Sequence, residues 1–296
     1  MLRIAHLSDV HILDPHTRRS AARYRITARA VSMGRSVDPR ERARKLSRGL
    51  AAAKASGAGH VVISGDLTEL GDANEFEHFA TLLDEARLPD GSVTLVPGNH
   101  DAYTSADGWK KAMAGPLKRW SSASAFLTGQ VVERGDVVLM PIDTSCFQSI
   151  ARSGGHLTSD AVDAVHSRLR DPAFTDKSII LVFHHPPFVT ERNAVWQWID
   201  GLRGYAHAVD LLGKHPRLQI LHGHLHKVVD SIVRLGKGAL ARVEDVARLS
   251  PRDAGRETAR ARIFGAPAVV DDGERPRVRL YDVRDGALES AGFYAT

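Results

Sequence analysis

The stretch HVVISGDLTELGDANEFEHFA, residues 60–80, decides the fold. It opens with an apolar run of strand length, His60–Ile63, and passes through Gly65-Asp66 into a helical pattern over Asn74–Ala86. Asn74 can cap this helix because Glu77 follows three residues later. An apolar strand joined by a short polar loop to an amphipathic helix is the repeating unit of an α/β fold.

The same alternation continues on both sides of this stretch. Several apolar runs are continuous, as expected for strands that are buried on both faces. The other strand candidates are Leu2–Leu7, Val93–Val96, Val137–Ile142, Ile179–Phe183 and Leu218–Leu221. The other helical patterns are Arg40–Ala55, Ser159–Leu169 and Tyr205–Lys214. The sequence therefore predicts an α/β fold in which helices cover the sheet.

Two segments depart from this alternation, and we assign both to a single domain, residues 1–296. Residues 228–296 are β-rich, with short runs at Ser231–Leu235, Arg262–Phe264, Ala268–Val270 and Val278–Val283. Residues 16–45 form a basic helical insertion that carries Arg18, Arg19, Arg23, Arg25, Arg29, Arg35, Arg40, Arg42, Arg44 and Lys45. A charge run is most often a solvated helical face. The alternative is a basic cap over the active site, or a surface for nucleic acid or anionic lipid.

Composition limits the classes of protein that this sequence can encode. Hydrophobic residues make up 43% and charged residues 25%, as in ordinary globular proteins. The net charge of +5 suits an anionic substrate without requiring nucleic acid. Cys146 is the only cysteine, so a cysteine-based zinc site is excluded, and we expect this thiol to be buried. No secretory signal or run of roughly 18 apolar residues is found, so we expect a cytoplasmic protein without an integral membrane segment.

Histidine and acidic residues follow nearly every core strand of the predicted sheet. The strand ends carry Asp9-Val10-His11, Gly65-Asp66, Gly98-Asn99-His100-Asp101, His184-His185 and His222-Gly223-His224-Leu225-His226. Loops after the carboxyl ends of such strands converge on one crevice, so these side chains should lie together. A single Asp after a strand often caps a helix, and a lone histidine is more often a surface residue. Five strand-end clusters together are better explained by a metal site.

The residue types suit a pair of divalent cations. Asp, Asn and His donate oxygen and nitrogen without thiolate, a set that fits Mn, Fe, Zn, Co or Ni better than Ca or Mg. At an extended strand end Asp9 and His11 would point the same way and could chelate one ion. Asp66 could bridge two ions through its two oxygens. Two ions about 4 Å apart can bind a phosphoryl group and activate a water molecule.

The ordered set D-x-H, G-D, G-N-H-D, H and G-H-x-H resembles the calcineurin-like metallophosphoesterase superfamily over about residues 1–230. The resemblance implies a four-layer β-sandwich flanked by helices, with a dinuclear metal site at the carboxyl ends of the strands. It also implies two ligand sets that share one carboxylate. One ion would be held by Asp9, His11, Asp66 and His226, and the other by Asp66, Asn99, His184 and His224.

The same resemblance implies roles beyond metal binding. A hydroxide bridging the metals would attack phosphorus in line, while His100 contacts a phosphate oxygen and protonates the leaving alkoxide. Asp101 would orient His100. The resemblance favours His184 over His185 as the ligand, and it leaves His185 near the pocket wall. A role for His222 beside the ligands is an even alternative. His6 is expected to pack within its strand, and surface positions are expected for His60, His78, His156, His166, His207 and His215.

The predicted reaction is hydrolysis of a phosphoester, with small phosphodiesters favoured. The segment that follows Asp66 resembles bacterial enzymes likened to class III cyclic-nucleotide phosphodiesterases, so cyclic nucleotides are candidate substrates. The alternatives are a nuclease or phospholipid-type phosphodiesterase that grips a polyanion with the basic insertion, and a phosphomonoesterase. A non-catalytic binding module is least favoured because every ligand position is filled. Arg192, Trp196 and Trp198 follow the His184 loop, where packing is a better prediction than pocket lining.

Overall fold

The computed structural model describes residues 1–16, 22–188, 194–215, 217–235, 241–245 and 261–294. In chain order the strands are β1 (Arg3–Leu7), β2 (His60–Ser64), β3 (Val93–Val96), β4 (Val132–Arg134), β5 (Val137–Pro141), β6 (Gly155–His156), β7 (Ser178–Val182), β8 (Leu202–Arg203), β9 (Gln219–His222), β10 (Val229–Leu235), β11 (Ala241–Asp245), β12 (Arg262–Gly265), β13 (Arg279–Arg284) and β14 (Ala287–Phe293). The helices are α1 (Ala22–Val31), α2 (Pro39–Ala55), α3 (Ala73–Glu85), α4 (Gly108–Ala114), α5 (Ser159–Leu169), α6 (Ala194–Asp200) and α7 (Tyr205–Lys214). Among the described helices, none has the length and apolarity needed to cross a membrane.

Two mixed sheets carry the fold. The first has the strand order β14-β13-β1-β2-β3, and the second has the order β11-β10-β12-β9-β7-β5-β4. The strands β1, β2 and β3 run parallel, as do β5, β7 and β9 in the second sheet. The carboxyl ends of these parallel strands therefore lie on one edge of each sheet.

The side chains of β5 show how the core divides into layers. Val137 and Leu139 join the core cluster that contains residues of both sheets, whereas Val138 and Met140 join the cluster formed with α5 and α7. Successive side chains of a strand point to opposite faces, so a strand covered on both sides must be apolar throughout. With α2 and α3 packed on the first sheet, the layers are helix, sheet, sheet and helix. The predicted fold is confirmed.

The cap of helix α3 is Asp72, two residues before the predicted cap. The side chain of Asp72 accepts a hydrogen bond from the backbone N of Asn74 at 2.9 Å, and Glu75 Oε2 accepts one from the backbone N of Asp72 at 3.1 Å. The pair Asp72 and Glu75 forms the same reciprocal capping box that we predicted for Asn74 and Glu77. The predicted position of the capping box was therefore wrong by two residues, because both pairs have the required spacing of three residues.

The predicted strand Ala268–Val270 was also wrong. Ala268 makes one bridge to Ser8, and the chain then forms a 3-10 turn over Val269–Asp271. The backbone N atoms of Val269 and Val270 bond the carbonyl oxygens of Ser8 and Asp9 at 2.9 and 3.0 Å. The turn therefore closes over the end of β1 and carries the next residue, Asp271, toward the cluster of histidines.

Two single-residue predictions failed. His60 was expected at the surface but is fully buried in β2, where its Nε2 lies 2.8 Å from Thr94 Oγ1 and its Nδ1 accepts from Arg134 Nε at 3.0 Å. Cys146 was expected to be buried but is partly exposed. The imidazole of His60 tolerates burial because each of its ring nitrogens has a polar partner.

Candidate metal centre

The chain leaves the parallel strands through an unusual backbone conformation. Left-handed φ angles of 52°, 54°, 48°, 67° and 54° occur at Asp9, His11, Asp66, His224 and His226 respectively. Non-glycine residues rarely adopt this region, and each costs of the order of 1 kcal/mol or more. The prediction that Asp9 and His11 lie in extended strand was wrong, because β1 already ends at Leu7. The sharp turns nevertheless direct both side chains into one cluster.

The carboxylate of Asp66 lies at the middle of this cluster. Its Oδ2 atom is 3.3 Å from Nε2 of His184, 3.7 Å from Nε2 of His11 and 4.0 Å from Nε2 of His100. Its Oδ1 atom accepts a hydrogen bond from the backbone N of His100 at 2.9 Å. Burial alone would raise the pKa of Asp66, but the neighbouring His184 and His100 rings hold that pKa well below its usual value. The result is a buried negative charge surrounded by nitrogen donors.

Asp9 joins the cluster from the other side. Its Oδ1 atom is 3.4 Å from Nε2 of His226 and 4.0 Å from Nε2 of His184. Both of its carboxylate oxygens accept from the backbone N of His224, at 3.1 and 3.2 Å. Ligand atoms of Asp9, His11 and His226 lie within 4.8 Å of one another, and so do those of Asp9, Asp66 and His184. The two carboxylates thus link overlapping sets of donors.

Each of the four histidines predicted as ligands has one ring nitrogen beside a protein oxygen. His184 Nδ1 lies 2.8 Å from the carbonyl oxygen of Ser64, which joins the ends of the two sheets. The other three contacts are His11 Nδ1 to Glu69 Oε2 at 3.3 Å, His224 Nε2 to the Asp200 carbonyl oxygen at 3.0 Å, and His226 Nδ1 to Asp271 Oδ2 at 2.7 Å. Metal-bound histidines have this arrangement in proteins, because the held nitrogen fixes the ring and leaves the other nitrogen for the ion.

The histidine pair at the end of β7 differs in this respect. His185 has partners at both nitrogens, with Thr144 Oγ1 at 2.9 Å from Nδ1 and the Ser153 carbonyl oxygen at 3.0 Å from Nε2. His184 Nε2 is buried and, among the described residues, has no hydrogen-bond partner. A ring with a free buried nitrogen is the better donor for a cation, so the geometry favours His184.

Asn99 and His100 follow β3. Asn99 Nδ2 donates to the Tyr103 hydroxyl at 2.8 Å, and within the described chain its buried Oδ1 atom has no partner. His100 Nδ1 lies 2.7 Å from the carbonyl oxygen of Glu69, so its Nε2 atom faces Asp66. Asn99 therefore offers a buried amide oxygen, and His100 turns its Nε2 atom toward Asp66.

Asp101 does not contact the His100 ring as predicted. Its carboxylate accepts from the backbone N atoms of Leu67, Thr68 and Gly98 at 3.0, 2.8 and 2.8 Å. These bonds direct the Asp101 carboxylate toward the loop after β2. The carbonyl oxygen of Glu69, and not Asp101, orients the His100 ring. Burial, with the nearby Asp66 charge, raises the pKa of Asp101 to about 6.

Three carboxylates of the site escaped the sequence analysis. Glu69 is fully buried, and its carboxylate accepts from Ser32 Oγ at 2.6 Å and pairs with Arg42 at 3.3 Å. Its position three residues after Asp66 was the one available signal. Asp200 at the end of α6 and Asp271 in the 3-10 turn come from distant parts of the chain, and nothing in their local sequence marks them.

Two glycines of the motifs leave no room for a side chain. A Cβ atom at Gly98 would lie 2.1 Å from Asp66 Oδ1, and one at Gly65 would lie 2.4 Å from His184 Nδ1. Gly65 also has a φ of 98°. The backbone therefore approaches the site closely at both glycines, because any larger residue would displace one of these two side chains.

The cluster fits divalent cations on its own chemistry. Its donors are carboxylate oxygen, an amide oxygen and imidazole nitrogen, and buried atoms of His11, His184 and Asn99 have no hydrogen-bond partner in the described structure. Buried polar atoms are normally paired, so these orphaned donors fit a site that takes a cation. This set of oxygen and nitrogen donors is typical of Mn, Fe, Zn, Co and Ni sites.

The comparisons with known proteins agree with this geometry. The sequence profile described as calcineurin-like phosphoesterase matches residues 2–228. The chain belongs to the calcineurin-like phosphoesterase family. A dinuclear divalent metal centre and metal-dependent phosphoester hydrolysis are the properties that membership supports, and the Asp and His clusters fit such a centre.

Solved structures resemble this calcineurin-like phosphoesterase over nearly its whole length. A dimetal phosphatase from Danio rerio has a TM-score of 0.64 at 12% identity, covering 99% of this chain and 96% of its own. A protein from Thermus thermophilus has a TM-score of 0.53 at 13% identity, covering 98% of each chain. At these identities the likeness shows the fold alone. No curated protein matches the chain significantly in sequence.

Proposed function

We propose that this chain is a phosphodiesterase that hydrolyses small phosphodiesters, cyclic nucleotides among them. The observation that carries the proposal is the position of His100, whose Nε2 atom lies 4.0 Å from Asp66 Oδ2 while Nδ1 is fixed on the Glu69 carbonyl. In the imidazolium form of His100, Nδ1 donates to that carbonyl oxygen and the proton on Nε2 can pass to the departing ester oxygen. An alkoxide leaving group, such as that of a diester, departs more readily when it receives a proton.

We assign the ligands in two sets that share Asp66. Asp9, His11, Asp66 and His226 would hold one ion, and Asp66, Asn99, His184 and His224 would hold the other. For His224 the free atom is Nδ1, since Asp200 occupies Nε2. When bound, such ions polarise the phosphoryl group and lower the pKa of water. The protein's own contribution is to orient the four rings, to hold the Asn99 amide through the Tyr103 hydroxyl and to direct the proton of His100.

Initial rates with two chromogenic esters test the proposal. We expect chelated enzyme to be inactive and Mn-reloaded enzyme to hydrolyse bis(p-nitrophenyl) phosphate faster than p-nitrophenyl phosphate. Asp66→Asn should reduce turnover to background because it removes the central charge, whereas Asp163→Asn, on the exposed face of α5, should not. Preference for the monoester would identify a phosphomonoesterase instead.

Nucleic acid is a second candidate substrate, favoured by one observation. Arg23, Arg25 and Arg29 of α1 are exposed, as are Arg40 and Arg44 of α2. Contacts of these arginines with a phosphate backbone would make the rate on single-stranded DNA fall steeply with salt. If the rate on a small diester and the rate on DNA respond equally to salt, the arginines do not bind the substrate.

A further inference from the structure

A groove opens beside the candidate metal centre. It encloses about 690 Å³, and its walls come from the end of α1, from the loop at residues 150–153 and from α6. We call it the apolar groove, and its main apolar lining residues are Val31, Met33, Ile150, Trp196 and Ile199. His100 and Asp200 line its inner end, and Asp200 also holds His224. The groove is therefore continuous with the site of chemistry.

The outer walls expose large apolar side chains. Met33 is 79% exposed, Trp196 is 57% exposed and Ile150 is 46% exposed. Helix α6 has no buried residue at all. Exposed apolar side chains scattered over a surface are ordinary, but a contiguous set that rims a functional cleft marks a binding site. The prediction that Trp196 serves packing was therefore wrong, since its ring lies at the groove.

Both side-chain hydroxyls that line the groove have protein partners, whereas the buried Nε atom of Arg152 has none among the described residues. The Tyr103 hydroxyl accepts from Asn99 Nδ2 and donates to the Arg152 carbonyl oxygen at 3.2 Å. The Ser153 hydroxyl donates to the Asp200 carboxylate. The Arg152 guanidinium lies 3.8 Å from the centre of the Trp198 ring and donates to the Trp198 carbonyl oxygen. Recognition of a nucleobase needs free donors and acceptors at its edge, and the Tyr103 and Ser153 hydroxyls are already committed to protein partners.

We propose that the apolar groove binds an uncharged hydrocarbon group, alkyl or aryl, of the phosphoester substrate. This inference rests on the proposed function, because the phosphoryl group of the same molecule would lie at the metal centre. Within the small phosphodiesters, it favours esters of an apolar alcohol over cyclic nucleotides. The groove begins at His100, so the hydrocarbon adjoins the oxygen that would receive the proton.

Alkylphosphonates provide the test, because their carbon–phosphorus bond is not hydrolysed and each carries one organic group. Isothermal titration of metal-reloaded protein should give a Kd for hexylphosphonate at least about tenfold below that for methylphosphonate, since each fully buried methylene favours binding by about fourfold. The heat capacity change of binding should become more negative with chain length, which reports apolar burial. These readouts do not depend on turnover.

Two variants test whether the preference for hexylphosphonate over methylphosphonate arises in the groove. Trp196→Ala and Ile150→Ala should each reduce the ratio between the two dissociation constants. The matched control is Leu127→Ala, which removes another exposed apolar side chain outside the groove and should leave the ratio unchanged.

The outcomes separate this inference from the proposed function. Equal affinity for the two phosphonates, or a ratio that survives both groove variants, overturns the groove assignment. Tighter binding of adenosine monophosphate than of hexylphosphonate, with loss in Trp196→Ala, also overturns it in favour of a nucleobase. If the ratio holds but metal-reloaded enzyme cleaves no diester, the groove assignment stands and the proposed function fails.

Discussion

Glu69 connects a candidate metal ligand to the helices of the basic insertion. Its carboxylate lies 3.3 Å from His11 Nδ1 and also contacts Ser32 and Arg42. The neighbouring His11 and His100 rings hold the pKa of Glu69 at about 2 although burial opposes this. The carboxylate is therefore charged, and it fixes the ring so that Nε2 points to Asp66.

Replacement of Glu69 by glutamine should weaken metal binding without unfolding the chain. A neutral amide holds His11 less firmly, and loss of such a partner typically lowers metal affinity by about 10- to 100-fold. Competition with a chromogenic chelator measures the change. Glu77→Gln, at an exposed position of α3, is the control and should leave affinity unaltered. Unchanged affinity in the Glu69 variant would contradict the assigned role.

Gly98→Ala should damage the site through a single methyl group. The new Cβ atom would lie 2.1 Å from Asp66 Oδ1, so the carboxylate must move. We expect lower metal occupancy by elemental analysis and a stability loss of about 1–3 kcal/mol. Gly273→Ala meets nothing within 4 Å and should change neither quantity. Full occupancy in the Gly98 variant would mean that Asp66 has another arrangement available.

Sequence reasoning at this scale found the residues that lie in short motifs and missed those that hold them. Asp66 and His184 each follow an apolar strand, so topology predicts where they meet. Asp200 and Asp271 reach the site only because α6 and the 3-10 turn pack there. The conformation of Asp9 and His11 was unpredictable for a similar reason, since tertiary contacts impose the left-handed backbone.

At the scale of elements, the basic insertion is only partly a solvated face. Arg42 of α2 is buried and donates to the carbonyl oxygen of His11 and to Glu69, and Arg35 lies 3.4 Å from His226 Nε2. The predicted arginines at 18 and 19 lie outside the described residues. The sequence does not show which arginines of the insertion point inward, because the periodicity of a sequence reflects only the polarity of each residue. It contains no sign of a buried carboxylate partner elsewhere in the chain.

Helix α1 is joined to α3 through a buried carboxyl, Glu75, whose burial makes the stability of the fold depend on pH. Tyr24 donates to Glu75 Oε1 at 2.7 Å, and burial raises the pKa of Glu75 from 4.5 to about 8. The folded chain therefore keeps a proton that the unfolded chain loses. The resulting stabilisation is complete below about pH 4.5 and disappears as pH rises through 8, with a slope of up to about 1.4 kcal/mol per pH unit.

Glu75→Gln should remove this dependence, because the amide mimics the protonated acid. Urea unfolding from pH 5 to pH 9 should show the variant gaining stability relative to the parent as pH rises. The contributions of other titrating groups cancel when the free energy of unfolding of the parent is subtracted from that of the variant. A constant difference across that range would show that Glu75 is ionised throughout.

At the scale of the whole molecule, Arg279 joins the two sheets. It is buried in β13 of the first sheet and donates to the carbonyl oxygens of Val229 and, at 2.8 Å, Gly265 in the second. Its guanidinium also lies 5.3 Å from the centre of the Phe264 ring. The order of the helix and sheet layers could be predicted from the apolar strands. This contact between the sheets could not be predicted, since an arginine in a strand usually faces solvent.

Arg279→Met should destabilise the whole chain by about 3 kcal/mol or more, because two buried carbonyl oxygens lose their donor. Arg284→Met in the same strand removes an exposed arginine and should cost little. Chemical denaturation of both variants measures the difference. Equal losses would mean that the sheets associate through apolar contact alone.

At the left-handed positions of the metal centre, the residue that would best stabilise the backbone is not the residue that can bind a metal ion. Glycine would relieve the backbone at Asp9, His11, Asp66, His224 or His226, but it would also delete a donor. A library selected only for resistance to heat would thus drift toward glycine at these five positions. Relatives that have lost hydrolase activity should carry glycine at the same positions. A variant of this fold stabilised in this way is therefore expected to be inactive.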